Sequence, residues 1–350
     1  MPALKRPAAC QSPTPTSKKS CPSQEAPSAK LGNREYTLGS SQLGQLVDSS
    51  SVMHSCEQRI WVSRLRNRLR DNGYLYLRGL LPLNAVGAAK RCMLAHLNQL
   101  GLLQPGSRIE EGWVAVRSAA GTQPHRDKDS EDSSDVEDVS QREEVLNLLS
   151  HPTLLEFLET LYDRPPAVVS QANFRAVKQG QSTGFHVDSV YMGTRMGPEV
   201  LTCWIPVMDI PASLGGLAVL RGSNSLPGFA NVRATYGKLD LDDGDIGGSG
   251  WFTEDPAEVA RFGGRWETSE YAPGDVVIFT MHTFHGSTVN RTGRWRLSFD
   301  VRFRPLHNGN EVNEEESESA SAPNEGRWSE HRHNPAVFPR TMEMAKEDWG

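Results

Sequence analysis

The sequence predicts a mainly β protein with flanking α-helices, wound as a double-stranded β-helix or jelly roll. Short apolar or alternating runs bounded by Gly and Pro turns dominate the second half of the chain: Ala167 to Val177, Thr183 to Asp188, Val200 to Ile210, Leu217 to Arg221, Asp275 to Met281 and Arg296 to Arg304. Helix-like segments come before these strands and not between them. Side chains suited to one metal ion stand on an early strand and on a late one, which a rolled sheet can bring together.

In chain order, Met1 to about Arg34 is rich in Pro, Ser, Thr and Ala, a composition that cannot offset the entropy of ordering, and residues 1–50 are expected to form a disordered tail. Within it Lys5-Arg6 and Lys18-Lys19 are spaced like the halves of a nuclear-import signal. A single catalytic domain is expected over 51–305, with order beginning near Cys56. Between Glu57 and Asn72, Ile60, Trp61, Leu65 and Leu69 recur on one helical face and Gly73 can end the helix. Tyr74 to Leu81 reads as a strand, and Asn84 to Leu100 as a second amphipathic helix stopped by Gly101. From about 121 to 140 the chain is acidic and almost without apolar residues, so a surface insertion is expected there; no Gly-centred ion-binding loop pattern is present. Helices over Glu143 to Leu149 and Thr153 to Tyr162 lead into the strands. Asn224 to Trp266, rich in Gly and Asp between 240 and 250, is expected to be a loop insertion able to gate a site. A mobile acidic loop at 306–327 and a C-terminal extension at 328–350 packing on the domain complete the expected order.

The whole chain bounds the function. Its 350 residues can bury one sizeable core. A net charge of -6 and a pI near 6.0 give no general attraction to nucleic acid. The five cysteines are scattered and odd in number, which suits a reducing compartment. No apolar run is long enough to span a membrane, no signal-peptide core is seen, and the C-terminal Asp348-Trp349-Gly350 is not a peroxisomal address. An intracellular, cytoplasmic protein is expected, with nuclear entry open through the basic pairs.

The chemistry is concentrated in Gly184-Phe185-His186-Val187-Asp188 and, far downstream, His285-Gly286-Ser287 and Arg296. Side chains two apart on a strand share a face, so His186 and Asp188 can grip one ion while Val187 points away. A His-x-Asp pair alone is more often a surface feature; the constellation changes its weight. Two imidazoles and a carboxylate leave three positions of an octahedron open, which suits non-haem Fe(II) beside a bound cosubstrate. His285 is the preferred third ligand and His282 the competitor. Arg296 offers a planar fork for a carboxylate, and Ser287 a hydroxyl donor. Arg296, Ser298, Asp300 and Arg302 share one strand face, with Leu297, Phe299, Val301 and Phe303 on the other, so the polar face either lines a cavity or meets solvent.

On these residues the chain resembles the phytanoyl-CoA dioxygenase family of Fe(II)/2-oxoglutarate oxygenases. The resemblance also takes in Trp204 in Leu201 to Val207 and the turn Gly215-Gly216 leading to Arg221-Gly222-Ser223-Asn224, where the family usually has Pro-Gly-Ser-His. It spans roughly residues 70 to 305, with a weaker match at Arg327-Trp328 and Glu347-Asp348-Trp349. It implies a cupin-like jelly roll and iron bound by His186, Asp188 and His285. It further implies that Arg296 and Ser287 hold the distal carboxylate of 2-oxoglutarate and that Trp204 lines its pocket. Tyr191 would sit beside the active site, with Gln171 and Asn173 reaching the cosubstrate. The implied reaction consumes O2 and 2-oxoglutarate, hydroxylates an aliphatic C–H bond of a small organic or acyl substrate and releases succinate and CO2, with ascorbate as an accessory reductant. Halogenating relatives lack the carboxylate that Asp188 supplies, which favours hydroxylation, while desaturation and demethylation use the same oxidant. Two other readings stay open on the residues alone: a sensor that binds iron and 2-oxoglutarate without turnover, and a cupin-like small-molecule-binding domain without iron.

Overall fold

The computed structural model describes residues 26–53, 57–115, 139–192, 197–239 and 249–306. The acidic insertion, the basic pairs of the tail, the 306–327 loop beyond Leu306 and the C-terminal extension lie outside these residues.

Two sheets form the body. One has five strands in the order β4-β9-β6-β11-β5, where β4 is Tyr74–Leu77, β5 Pro166–Val177, β6 Leu201–Pro206, β9 Val276–Thr280 and β11 Arg296–Pro305. The other runs β10-β7-β8-β3, with β3 Leu43–Gln45, β7 Leu217–Arg221, β8 Arg265–Thr268 and β10 His285–Ser287. All neighbours are antiparallel except β3, which lies parallel to β8. From β6 onward the chain passes from the five-stranded sheet to the other (β7, β8), back (β9), across (β10) and back again (β11), the winding expected of a double-stranded β-helix.

Strand β11 shows why the layers form. Its alternation puts Leu297, Phe299, Val301 and Phe303, all at most 1% exposed, on the face that shares an apolar cluster with Leu94 and Leu97 of α3 (Leu83–Gln99), Leu148 of α4 (Glu143–Leu149) and Leu158 of α5 (Pro152–Tyr162). Helices therefore back the five-stranded sheet, as a one-sided apolar face requires. The opposite face of β11 carries Arg296, Ser298, Asp300 and Arg302, and these too are buried, so the polar row faces the interior and not solvent.

Helix α2 (Gln58–Asn72) packs on β4 and α5. Gly73 closes it at φ 84° by donating its N–H to Leu69, and a Cβ there would stand 2.6 Å from Thr283 Oγ1, so both backbone and space require glycine. The buried stripe differs from the expected one. Ile60 is 46% exposed, whereas Val62 and Leu65 are buried and Trp61 stacks on Phe157.

Order begins earlier than composition suggested. Ser28–Leu31 (β1) and Arg34–Thr37 (β2) pair as a hairpin, β3 closes the edge of β8, and the short α1 (Ser50–Met53) follows. Ala29, Leu31 and Leu43 are fully buried; a few well-placed apolar residues anchor a segment whose average composition is polar. The strand expected over Thr183 to Asp188 is reduced to single bridges at Phe185 and His186, because the chain turns at Asp188 into α6 (Ser189–Met192). The expected 224–266 insertion contains α7 (Ala230–Ala234) and α8 (Pro256–Ala260) and ends inside β8. Among the described residues no helix is long and apolar enough to cross a membrane.

Phe299 is fully buried between the sheet and the helices and lies against Phe174. Phe299→Ala should destabilise the protein by about 3–5 kcal/mol in urea unfolding, since the cavity it leaves is walled by regular structure that cannot collapse.

Candidate metal and cosubstrate site

His186 and His285 face each other across an antiparallel bridge in which each backbone N–H donates to the other's carbonyl at 3.0 Å. Their rings lie 4.2 Å apart as a direct result. Close approach of the two segments depends on glycines beside each histidine. A Cβ on Gly286 would meet Phe185 at 2.8 Å and the Thr183 carbonyl at 2.9 Å, and one on Gly184 would stand 2.4 Å from the Trp251 indole. Phe185 points the other way, into a second apolar cluster with Trp266 and Phe252.

The ring nitrogens are sorted by their partners. His186 Nδ1 lies 2.8 Å from the Gly184 carbonyl and His285 Nδ1 3.0 Å from that of Thr283. A carbonyl only accepts, so each Nδ1 carries the proton and each Nε2 keeps a bare lone pair. Asp188 Oδ1 stands 3.4 Å from His285 Nε2 and 3.8 Å from His186 Nε2, and is buried without a hydrogen-bond partner. One ligand atom from each of the three residues lies within 4.8 Å of the others. Burial, and for His186 also the neighbouring His285, lowers both histidine pKa values, so the imidazoles are neutral. Burial works to raise the Asp188 pKa, yet Arg302, His285, His186 and Thr202 together hold it well below the usual carboxylate range. Two neutral imidazoles and a carboxylate with an orphaned oxygen fit a divalent first-row metal such as Fe(II). His282, the competing histidine, stays outside this cluster, with its Nδ1 buried and unpartnered.

Arg296 is 2% exposed, and its Nη1 donates to Ser298 Oγ at 2.6 Å. Its Nε is buried without a partner, and among the described residues no carboxylate pairs with it. Burial, aided by the nearby Arg175 cation, pulls its pKa down to about 10. A buried cation without a counterion is costly, and the arrangement suits an incoming carboxylate. Ser287 Oγ accepts from the Thr183 N–H at 2.7 Å, leaving its own proton to donate elsewhere.

The remaining sequence candidates are placed as follows. Trp204, 3% exposed, lies on the same sheet face as its β11 partner Asp300, edge-on to Tyr271 at 4.7 Å. Tyr191 sets its ring edge-on to His186 at 5.2 Å and donates its hydroxyl to the Ser249 carbonyl. Asn173 is half-buried opposite Asp300 on β5; the Gln171 side chain lies outside the described ones. Three features escaped sequence reasoning. Thr202 and Arg302 grip Asp188, Arg175 is ion-paired with Asp300, and residues 251–253 pair with the Phe185 backbone and lay Trp251 over Gly184. The alternating polar row on β11 was the available signal for the first two, but spacing alone does not name a cross-strand partner.

The sequence profile of the phytanoyl-CoA dioxygenase family matches residues 69–298. The chain is similar to proteins named 1-deoxypentalenic acid 11-beta-hydroxylase from Streptomyces arenae, 24% identical over 253 residues, and Streptomyces exfoliatus, 25% identical over 248. Each alignment covers 67% of this chain and 78% of the relative. Similar solved structures include EctD from S. alaskensis with 2-oxoglutarate and 5-hydroxyectoine, 17% identical, covering 76% of this chain and 83% of that one at a TM-score of 0.47. Another is SnoK, a non-heme alpha ketoglutarate dependent carbocyclase from nogalamycin biosynthesis, 16% identical, covering 75% and 87% at a TM-score of 0.47.

The neutral histidines predict a pH dependence. Their folded pKa values lie below the ordinary 6.5, so the unfolded chain takes up protons first as pH falls. Their contribution to stability is present above that value and is lost below it, at up to about 1.4 kcal/mol per pH unit for each histidine. Asp188 adds the same sign only in the acid range below ordinary carboxylate titration. Urea unfolding of the metal-free protein should show stability falling from pH 7 to pH 5, with a shallower slope in His186→Leu.

Proposed function

The chain belongs to the phytanoyl-CoA dioxygenase family, a family of 2-oxoglutarate-dependent dioxygenases, and from that premise we propose that it hydroxylates an aliphatic C–H bond of a small organic or acyl substrate using Fe(II). One observation carries this reading: two buried groups between the sheets have unmet electrostatic needs. Asp188 Oδ1 and two histidine lone pairs lack a cation, and the Arg296 guanidinium lacks an anion. Fe(II) and a dicarboxylate answer both.

When bound, iron with 2-oxoglutarate and O2 supplies the oxidising power: one oxygen atom ends in succinate, the other in the hydroxylated substrate, and CO2 leaves. The chain's own residues bind, orient and exclude water. His186 and His285 would hold iron through Nε2 and Asp188 through Oδ1. Arg296, helped by Ser287, would anchor the far carboxylate of 2-oxoglutarate and so fix which end meets the metal. Trp204 and Tyr271 supply an apolar wall beside the cosubstrate, and Phe279 packs 4.4 Å from His285, which limits water near the metal. Asn173 and Gln171 on β5 are assigned polar contacts to the cosubstrate, and Tyr191, against His186, the border with the substrate space. The intact Asp188 and the hydroxylase names of the Streptomyces relatives favour hydroxylation over halogenation. Ascorbate would serve as an accessory reductant.

The test is anaerobic titration of the metal-free, full-length protein with Fe(II) and 2-oxoglutarate, followed by the visible metal-to-ligand charge-transfer band. The intact protein should develop the band and His186→Ala should not. Arg296→Ala should need roughly thirtyfold more 2-oxoglutarate or beyond, the usual scale for removing one side of a buried charge pair. On admitting O2, succinate release that rises with added substrate separates an oxygenase from a sensor. Absence of both band and bound iron in the reconstituted intact protein would sink the proposal.

A further inference from the structure

The two oxygens of Asp188 have opposite surroundings. Oδ1 faces the histidine nitrogens without a hydrogen-bond partner. Oδ2 accepts three hydrogen bonds, from Thr202 Oγ1 at 2.5 Å and from Arg302 Nη2 and Nε at 3.2 and 3.3 Å. Thr202 and Arg302 are directly opposed on the adjacent strands β6 and β11, so sheet register, not a loop, fixes this cradle. All three residues are buried.

A carboxylate that turns freely can give both oxygens to one cation, and would then fill a fourth coordination position. Here such a turn would break three hydrogen bonds. It would also strand the Arg302 guanidinium in a buried place, because its recorded ion pair among the described residues is with Asp188. Arginine suits the task better than lysine, since its rigid fork sets two donors on a single oxygen.

We propose that Arg302, assisted by Thr202, is a positioning residue that confines Asp188 to one-oxygen coordination and so keeps three positions of the metal open. Those positions would then serve the chelating end of 2-oxoglutarate and leave one place over. The inference rests on the iron and 2-oxoglutarate reading of the site. It gives the far end of β11 a second duty: Arg296 anchors the cosubstrate, and Arg302 sets how many places the metal can offer it.

The test uses full-length protein loaded with Mn(II) in place of iron, with water-proton relaxation counting the exchangeable waters on the metal. With saturating 2-oxoglutarate the intact protein should retain one such water. In Arg302→Leu the carboxylate turns, the count falls toward zero, and 2-oxoglutarate binds about tenfold or more weakly at saturating Mn(II), within the range seen when the partner of a metal ligand is removed. Arg302→Lys should recover most of the hydration, and Thr202→Val should move both readings a smaller step in the direction of Arg302→Leu. A merely structural role would lower the melting temperature and leave one water in place. Retention of that water and of intact 2-oxoglutarate affinity in Arg302→Leu overturns the inference; should that variant not fold, the same result in Thr202→Val does so. An intact protein that binds neither Mn(II) nor 2-oxoglutarate overturns the proposed function, and this inference with it, and is recognised before any variant is compared.

Discussion

Burial of charge between the two sheets is the constraint on which the rest of the site depends. Strand β11 is covered on its apolar face by helices and on its polar face by the second sheet, so each of its four polar side chains must find a partner inside the protein. Arg302 meets Asp188, Asp300 meets Arg175, and Ser298 meets Arg296. What is left over is one edge of Arg296, and at the other group one oxygen of Asp188 with two imidazole lone pairs. The proposed function rests on this remainder, because buried polar atoms without partners are costly unless an occupant meets them.

Backbone packing makes the remainder possible. The histidines come from segments far apart in sequence, yet each segment hydrogen-bonds the other at the histidine itself, so the two rings cannot separate without breaking the pair. Gly184 and Gly286 let a third layer, Trp251 on one side and Phe185 on the other, press directly against these backbones. The His-Gly-Ser and Gly-Phe-His segments are thus statements about distance as much as about ligands.

Much of this was legible. The strand β11 and the helix α4 fall where periodicity puts them, since each has one strongly apolar face, and β7 falls where a continuous apolar run before Arg221 puts it. The grouping of His186, Asp188 and His285, which the structure brings within reach of one another, was legible because few other combinations of these residue types make sense together. What was hidden had physical causes. Strand β8 contains Glu267, which reads as solvent-facing yet is fully buried beneath Tyr74 and Arg265. Residues 28–45 were lost in an average composition that conceals Ala29, Leu31 and Leu43. The Asp188 to Arg302 contact joins residues on different strands, and only the register between β6 and β11 decides that Thr202 should share it.

The hairpin of β1 and β2, with β3 behind it, carries a consequence for how the molecule assembles. Leu31 bridges to Thr288, next to the His-Gly-Ser segment, and β3 joins β8 in parallel, so the first described residues are fastened to the last third of the chain. Contacts of such long sequence separation form slowly, because the intervening loop must close before any of them can stabilise it. On a ribosome, β10 emerges late, and the N-terminal strands must wait for it with Leu31 and Leu43 uncovered. His186 and His285 pair with each other only when that wait ends, so under the proposed reading a metal ion arriving during synthesis would meet a half-built site.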